Sequence, residues 1–135
     1  CSRHQAAIST GWVLIDIQGQ ADEPDIIFGG TQAGLTTTAL RKRYGAKAMQ
    51  GENSIFGLLS VKGHQVYPKL TARSLMEDSR FAGGYTVQTY GSHQSQGIDA
   101  FQLEFGIRLR KDPRLASDFA EVLIGFMCDH DFLSR

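Results

Sequence analysis

Cysteine is scarce in this chain of 135 residues: Cys1 and Cys128 are the two present, so neither a zinc knuckle nor a disulfide framework can be assembled within it. Asparagine occurs once, as Asn53 followed by Ser54 and Ile55, which excludes an N-glycosylation acceptor. No apolar run is longer than residues 12–15, far short of the roughly 20 that a membrane-spanning helix needs, so membrane insertion is not expected. Neither sign of charge is in excess, with 14 Lys+Arg against 14 Asp+Glu, and a nucleic-acid partner is not expected either. The one basic cluster, Arg41 to Arg43, reads as the solvated side of a short helix. The chain starts at Cys1 rather than Met, which suggests a processed chain whose leader has been removed. A terminal cysteine suits a disulfide anchor, to Cys128 or to a second polypeptide, and this places the protein in the extracellular, secreted class.

What is present is an ordinary globular balance, 41% hydrophobic and 21% charged, and enough chain for a single α/β domain over residues 1–135, with 1–10 as a terminal segment. A chain of this size buries about two-thirds of the surface its unfolded form exposes. Residues 12–17 make a short β-branched run that predicts a strand buried on both faces, and 25–28 a second strand ended by Gly29-Gly30. Residues 36–44 have helical spacing with Gly45 as C-cap, and Asn53-Ser54 caps a second helix carrying Ile55, Leu58 and Leu59. Residues 64–67 predict a strand, 69–82 a surface loop with a helical turn, and 84–90 a strand paired with 98–105 around a polar loop. Pro113 opens the last helix, whose stripe is Leu115, Phe119, Val122, Leu123 and Phe126.

Ligands of α/β sheets gather at the carboxyl ends of strands, which singles out Asp16 with Gln18, Tyr90 with Ser92 and His93, and Glu104. A carboxylate inside an apolar strand is costly without a partner. Asp16 has a structural alternative as an acceptor of backbone or hydroxyl hydrogen bonds, and Glu104 as the partner of Arg108 or Arg110. His4, His64, His93 and His130 are scattered without metal-ligand spacing and read as exposed or partner-satisfied, His93 being the best functional candidate among them. Gly29-Gly30 and Gly83-Gly84 lack the spacing of a phosphate-binding loop.

Four segments carry a resemblance: LIDIQGQ (14–20), GGTQAGLT (29–36), FAGGYTV (81–87) and GIDAFQLEFG (97–106). In this order, over residues 11–127, the chain resembles the carboxyl-terminal half of the N-formylglutamate amidohydrolase family. The resemblance implies a three-layer α/β/α fold with a mixed sheet, similar to the zinc exopeptidases, in which a carboxylate activates water beside a catalytic zinc. It places the general base or acid on Glu104 and an orienting carboxylate on Asp16. The family pattern has histidine where this chain has Gln18, and a carboxamide oxygen is a poor zinc donor. The family's first ligand segment also lies upstream of the matched region, which implies a fold incomplete without a second polypeptide chain or self-association.

Two functions follow from these readings. The first is a secreted, non-catalytic, lectin-like binding protein without a cofactor, holding a small polar ligand such as a sugar through Asp16, Gln18, Gln20, Tyr90, His93, Gln102 and Glu104. Trp12, Tyr85 and Tyr90 are the aromatics nearby in sequence. The alternative is a zinc-dependent amidohydrolase subunit, active only with a second chain, in which Glu104 is catalytic and His93 polarises the carbonyl or ligates the metal.

Overall fold

In the computed structural model, which describes residues 11–70 and 75–133, the apolar run at 12–17 becomes part of strand β1 (Val13–Gln20). Strands β2 (Ile26–Gly30), β3 (Gln65–Tyr67) and β4 (Asp99–Gly106) join it in one mixed sheet of order β1-β4-β2-β3. β4 is parallel to β1 and antiparallel to β2, and β2 is parallel to β3. The chain is therefore a mixed α/β structure, as the alternation of strand and helix patterns predicts.

Side chains alternate across a strand, so each face of the sheet has its own character. Phe101, Leu103 and Phe105 of β4 share one face with Ile27 of β2, and this face is the core. Against it pack α1 (Thr38–Tyr44), α2 (Lys47–Gln50), α3 (Ile55–Val61) and α5 (Leu115–Asp129), which contribute Leu40, Met49, Ile55, Phe56, Leu59, Val122 and Phe126. The local signals act as expected. Ser54 Oγ accepts the Gly57 N–H at 3.0 Å to cap α3, and Gly45, at φ 79°, ends α1. The stripe on α5 docks edge-on, Phe119 against Phe105 at 5.4 Å between centroids and Phe126 against Phe101 at 5.6 Å.

Two expectations are corrected. Residues 84–90, read as a strand, form helix α4 (Tyr85–Tyr90). Both edges of β4 are already taken, by β1 and β2, so no edge remains for a hairpin partner. The β-forming character of Tyr85, Thr86 and Val87 yields to that context. Secondly, β1 is not buried on both faces: it is an edge strand, with Val13 and Ile15 packed against the core but Ile17 58% exposed.

The segment 69–82 does hold a helical turn, a 3-10 turn at Ser79–Phe81, and it packs inward as well. Phe81 stacks on Phe28 at 4.6 Å. Glu77 accepts from Thr31 N and Oγ1 at 2.8 and 2.7 Å and from Ala33 N at 2.8 Å, closing a turn in which Gln32, Ala33 and Gly34 all have positive φ. Burial pushes its carboxyl above the ordinary range against the pull of those hydrogen bonds. Cys128 is buried on α5, and the disulfide anchor read at Cys1, to Cys128 or to a second polypeptide, lies outside the described residues. Among the described residues no helix is long and apolar enough to cross a membrane.

Candidate functional site

β1 and β4 pair with Asp16 opposite Gln102 and Gln18 opposite Glu104. Opposed residues share a face, so all four polar side chains stand together on the face turned away from the core. The sheet register, rather than any local motif, assembles them. Gln102 and Glu104 are buried, at 4% and 6% exposed, because β4 is a central strand, whereas Asp16 is half-buried and Gln18 exposed on the edge strand.

The cluster consists of two carboxamide–carboxylate pairs. Gln102 Nε2 donates to Glu104 Oε1 at 3.0 Å, and Gln18 Nε2 donates to Asp16 Oδ2 at 2.9 Å. Gln102 Oε1 in turn accepts the Gly84 N–H at 2.7 Å, which fixes the start of α4 over the polar face. Tyr85, the first residue of α4, is 80% exposed beside this contact. Loss of water pushes the Glu104 carboxyl above the usual carboxylate range, and the charge of Asp16 adds to this, while the Gln102 hydrogen bond acts the other way. Neither arginine considered from the sequence is its recorded partner. Arg108 pairs with Asp25 at 3.1 Å, and Arg110 lies over Gly19 on the opposite face.

Gln20 does not join the cluster. It is buried, with Nε2 donating to Glu23 O at 2.6 Å and Ile26 O at 3.1 Å and Oε1 accepting from Glu23 N at 2.8 Å. The short turn to β2 presents backbone groups that saturate this side chain, which makes it a clamp on the turn. Tyr90 and His93 stand elsewhere, at the end of a helix and in the loop that follows it rather than after a strand. Ser92 Oγ donates to Asp99 Oδ1 at 2.8 Å and Gly91 bridges to Ile98, which ties their loop to the amino end of β4. Glu104 lies five positions further along that strand, roughly 17 Å away at about 3.3 Å per residue. Tyr90 is exposed at the rim of a shallow recess with Leu14 and Ile98. His93 Nδ1 is buried without a hydrogen-bond partner among the described residues.

His64 and His130 are satisfied structurally, as expected: His64 Nε2 pairs with Asp118 Oδ2 at 2.9 Å, and His130 Nδ1 bonds to Phe126 O at 2.8 Å. The sequence reading missed Asp99. This buried carboxylate accepts from Leu40 N at 3.0 Å and from Ser92 Oγ, and so joins α1, the 91–97 loop and β4. Its sole signal in the sequence is a carboxylate at the first position of a strand.

Catalytic zinc takes three protein donors, most often with imidazole or thiolate among them. Among the described residues the polar face offers two carboxylates, each held by a carboxamide, and no imidazole. Among the described residues no group of three or more His, Cys, Asp or Glu is placed to hold a metal ion. The side chains present on this face do not fit zinc. Compared with models of protein families, with curated proteins and with solved structures, the chain has no match.

Proposed function

We propose that the chain is a non-catalytic binding protein on an amidohydrolase-like scaffold, and that its polar face holds a small, hydroxyl-rich ligand, a saccharide above all. The observation that carries this reading is the pairing of each carboxylate with a carboxamide two residues along its own strand, the two pairs being set side by side by the register of β1 on β4. An ionised carboxylate has about four acceptor sites, and a carboxamide two donors and an acceptor. Asp16 and Glu104 each receive one recorded side-chain donor, so both keep acceptor capacity, held in place by the amides. Such a mixed set suits hydroxyl groups, which donate and accept at once. Tyr85 supplies an exposed ring for the apolar face of a sugar. The amidohydrolase alternative needs metal donors that the described residues of this face do not supply.

Saturation-transfer NMR and calorimetry with a panel of neutral mono- and disaccharides test the reading. Binding is expected, with at least about a tenfold loss, or 1.4 kcal/mol, in both Gln18→Ala and Glu104→Gln. Turnover of N-formyl amino acids is expected to be absent. No saccharide binding, or full binding by Gln18→Ala, would refute the assignment of this face.

A further inference from the structure

The free edge of β1 lies beside a mainly apolar cleft on the core side of the sheet. Among the described residues only β4 pairs with β1, so the outer edge of this eight-residue strand presents backbone N–H and C=O groups without a ladder. Natural edges of this length are ordinarily blunted by Lys, Pro or a bulge. β1 contains neither Lys nor Pro, and its register against β4 runs unbroken from Val13 opposite Asp99 to Gln20 opposite Gly106. Trp12, at the start of this edge, is 76% exposed, and Ile17, in its middle, 58%.

The cleft, about 440 Å³, flanks the carboxyl half of β1; Ile17, Phe105, Leu115, Phe119 and Arg110 are among its lining residues, with Gln18 at the strand. The Arg110 guanidinium covers Gly19 so closely that a Cβ there would stand 2.5 Å from Nη1. No acid pairs with Arg110 among the described residues. Asp112, at the cleft wall, is taken by Arg114, whose backbone N–H and Nη2 reach it at 2.9 and 3.2 Å. An apolar slot, a free strand edge and an unmet cation thus adjoin one another.

We propose that β1 accepts an extended strand from a different polypeptide, which places an aliphatic side chain in the cleft and an acidic one, on the same face, against Arg110. Main-chain pairing supplies the affinity of such strand addition, and alternate side chains supply its specificity. A second copy of this chain does not meet the requirement. Two-fold antiparallel pairing of β1 with itself keeps equivalent faces on the same side, and the only acid of the strand, Asp16, stands on the polar face with Gln18. A copy would bring Val13, Ile15 and Ile17 to the cleft side and leave Arg110 without a counter-charge.

The probes are two blocked synthetic peptides, TVTITET and TVTITKT, which alternate Thr with apolar residues and end the apolar face in Glu or Lys. Amide exchange of β1 followed by NMR, emission of Trp12, the only tryptophan, and sedimentation read the outcome. The Glu peptide is expected to slow exchange of β1 amides at least tenfold and to bind at least tenfold more tightly than the Lys peptide. Arg110→Glu, on an exposed side chain, should reverse that preference with the urea midpoint unchanged. Equal binding of both peptides, a preference that survives Arg110→Glu, or protection by neither peptide overturns the proposal. So does β1 protection that appears without peptide in a concentration-dependent dimer, which would assign the edge to a second copy.

Discussion

Gln102 and Gln18 make the same chemical contact at nearly the same distance, and truncating each to alanine should give very different results. Gln102→Ala removes the acceptor of the Gly84 N–H and the donor to Glu104. A neutral hydrogen bond contributes about 1 kcal/mol net and one to a charged group about 1.5–3, so the loss should be roughly 3 kcal/mol. For Gln102, 4% exposed, water does not readily take the place of the lost amide. With a urea slope of about 2 kcal/mol/M, the unfolding midpoint should fall by about 1.5 M. Gln18 is exposed, water replaces its bond to Asp16, and Gln18→Ala should stay within about 0.5 kcal/mol. Urea titrations followed by circular dichroism at pH 7 decide the matter. Saccharide affinity should fall in both variants, so Gln18→Ala loses ligand without losing stability. Similar midpoint shifts for the two variants, or a loss under about 1 kcal/mol for Gln102→Ala, would refute the reasoning that burial on the central strand sets the value of the pair.

Glu104→Gln should stabilise the protein at neutral pH and have little effect near pH 4. The folded-state carboxyl is raised above its unfolded value, so its favourable contribution is complete below the unfolded pKa and is lost as pH rises through the folded one. Urea midpoints of the two proteins across pH 3.5–8 test this, and a difference independent of pH would contradict the cause assigned to the shift. Gly30→Ala, opposite Gln102 on β2, should cost about 1–3 kcal/mol, because the added Cβ would meet Phe81 O at 2.3 Å and Gly83 N at 2.5 Å and must push away the backbone that carries α4. A change within about 0.5 kcal/mol would show that this crossing is looser than its geometry indicates.

Glu104 and Gln102 were legible as candidates because they sit two apart in a strand whose alternate residues, Phe101, Leu103 and Phe105, are apolar. Asp16 and Gln18 follow the same rule in β1. Gln20 obeys it too, yet the turn that follows consumes its amide, and spacing along one strand does not reveal what the next turn presents. The reading of 84–90 as a strand made Tyr90 and His93 look like residues at a strand's carboxyl end, where ligands gather; the segment is a helix, and the loop after it lies at the amino end of β4.

The sequence by itself determined the elements whose signals are local. Ser54 caps α3, Gly45 ends α1, the apolar stripe marks α5, and period-two alternation marks β4. These depend on backbone geometry within a few residues, which the chain carries wherever it goes. Tertiary structure alone decided that β4 is central and β1 an edge, that Asp16 meets Gln102 and Gln18 meets Glu104, and that a β-forming hexapeptide becomes α4. Those outcomes rest on pairings between segments far apart in the chain, whose energies depend on which strand edges and faces remain uncovered once the rest of the chain has packed.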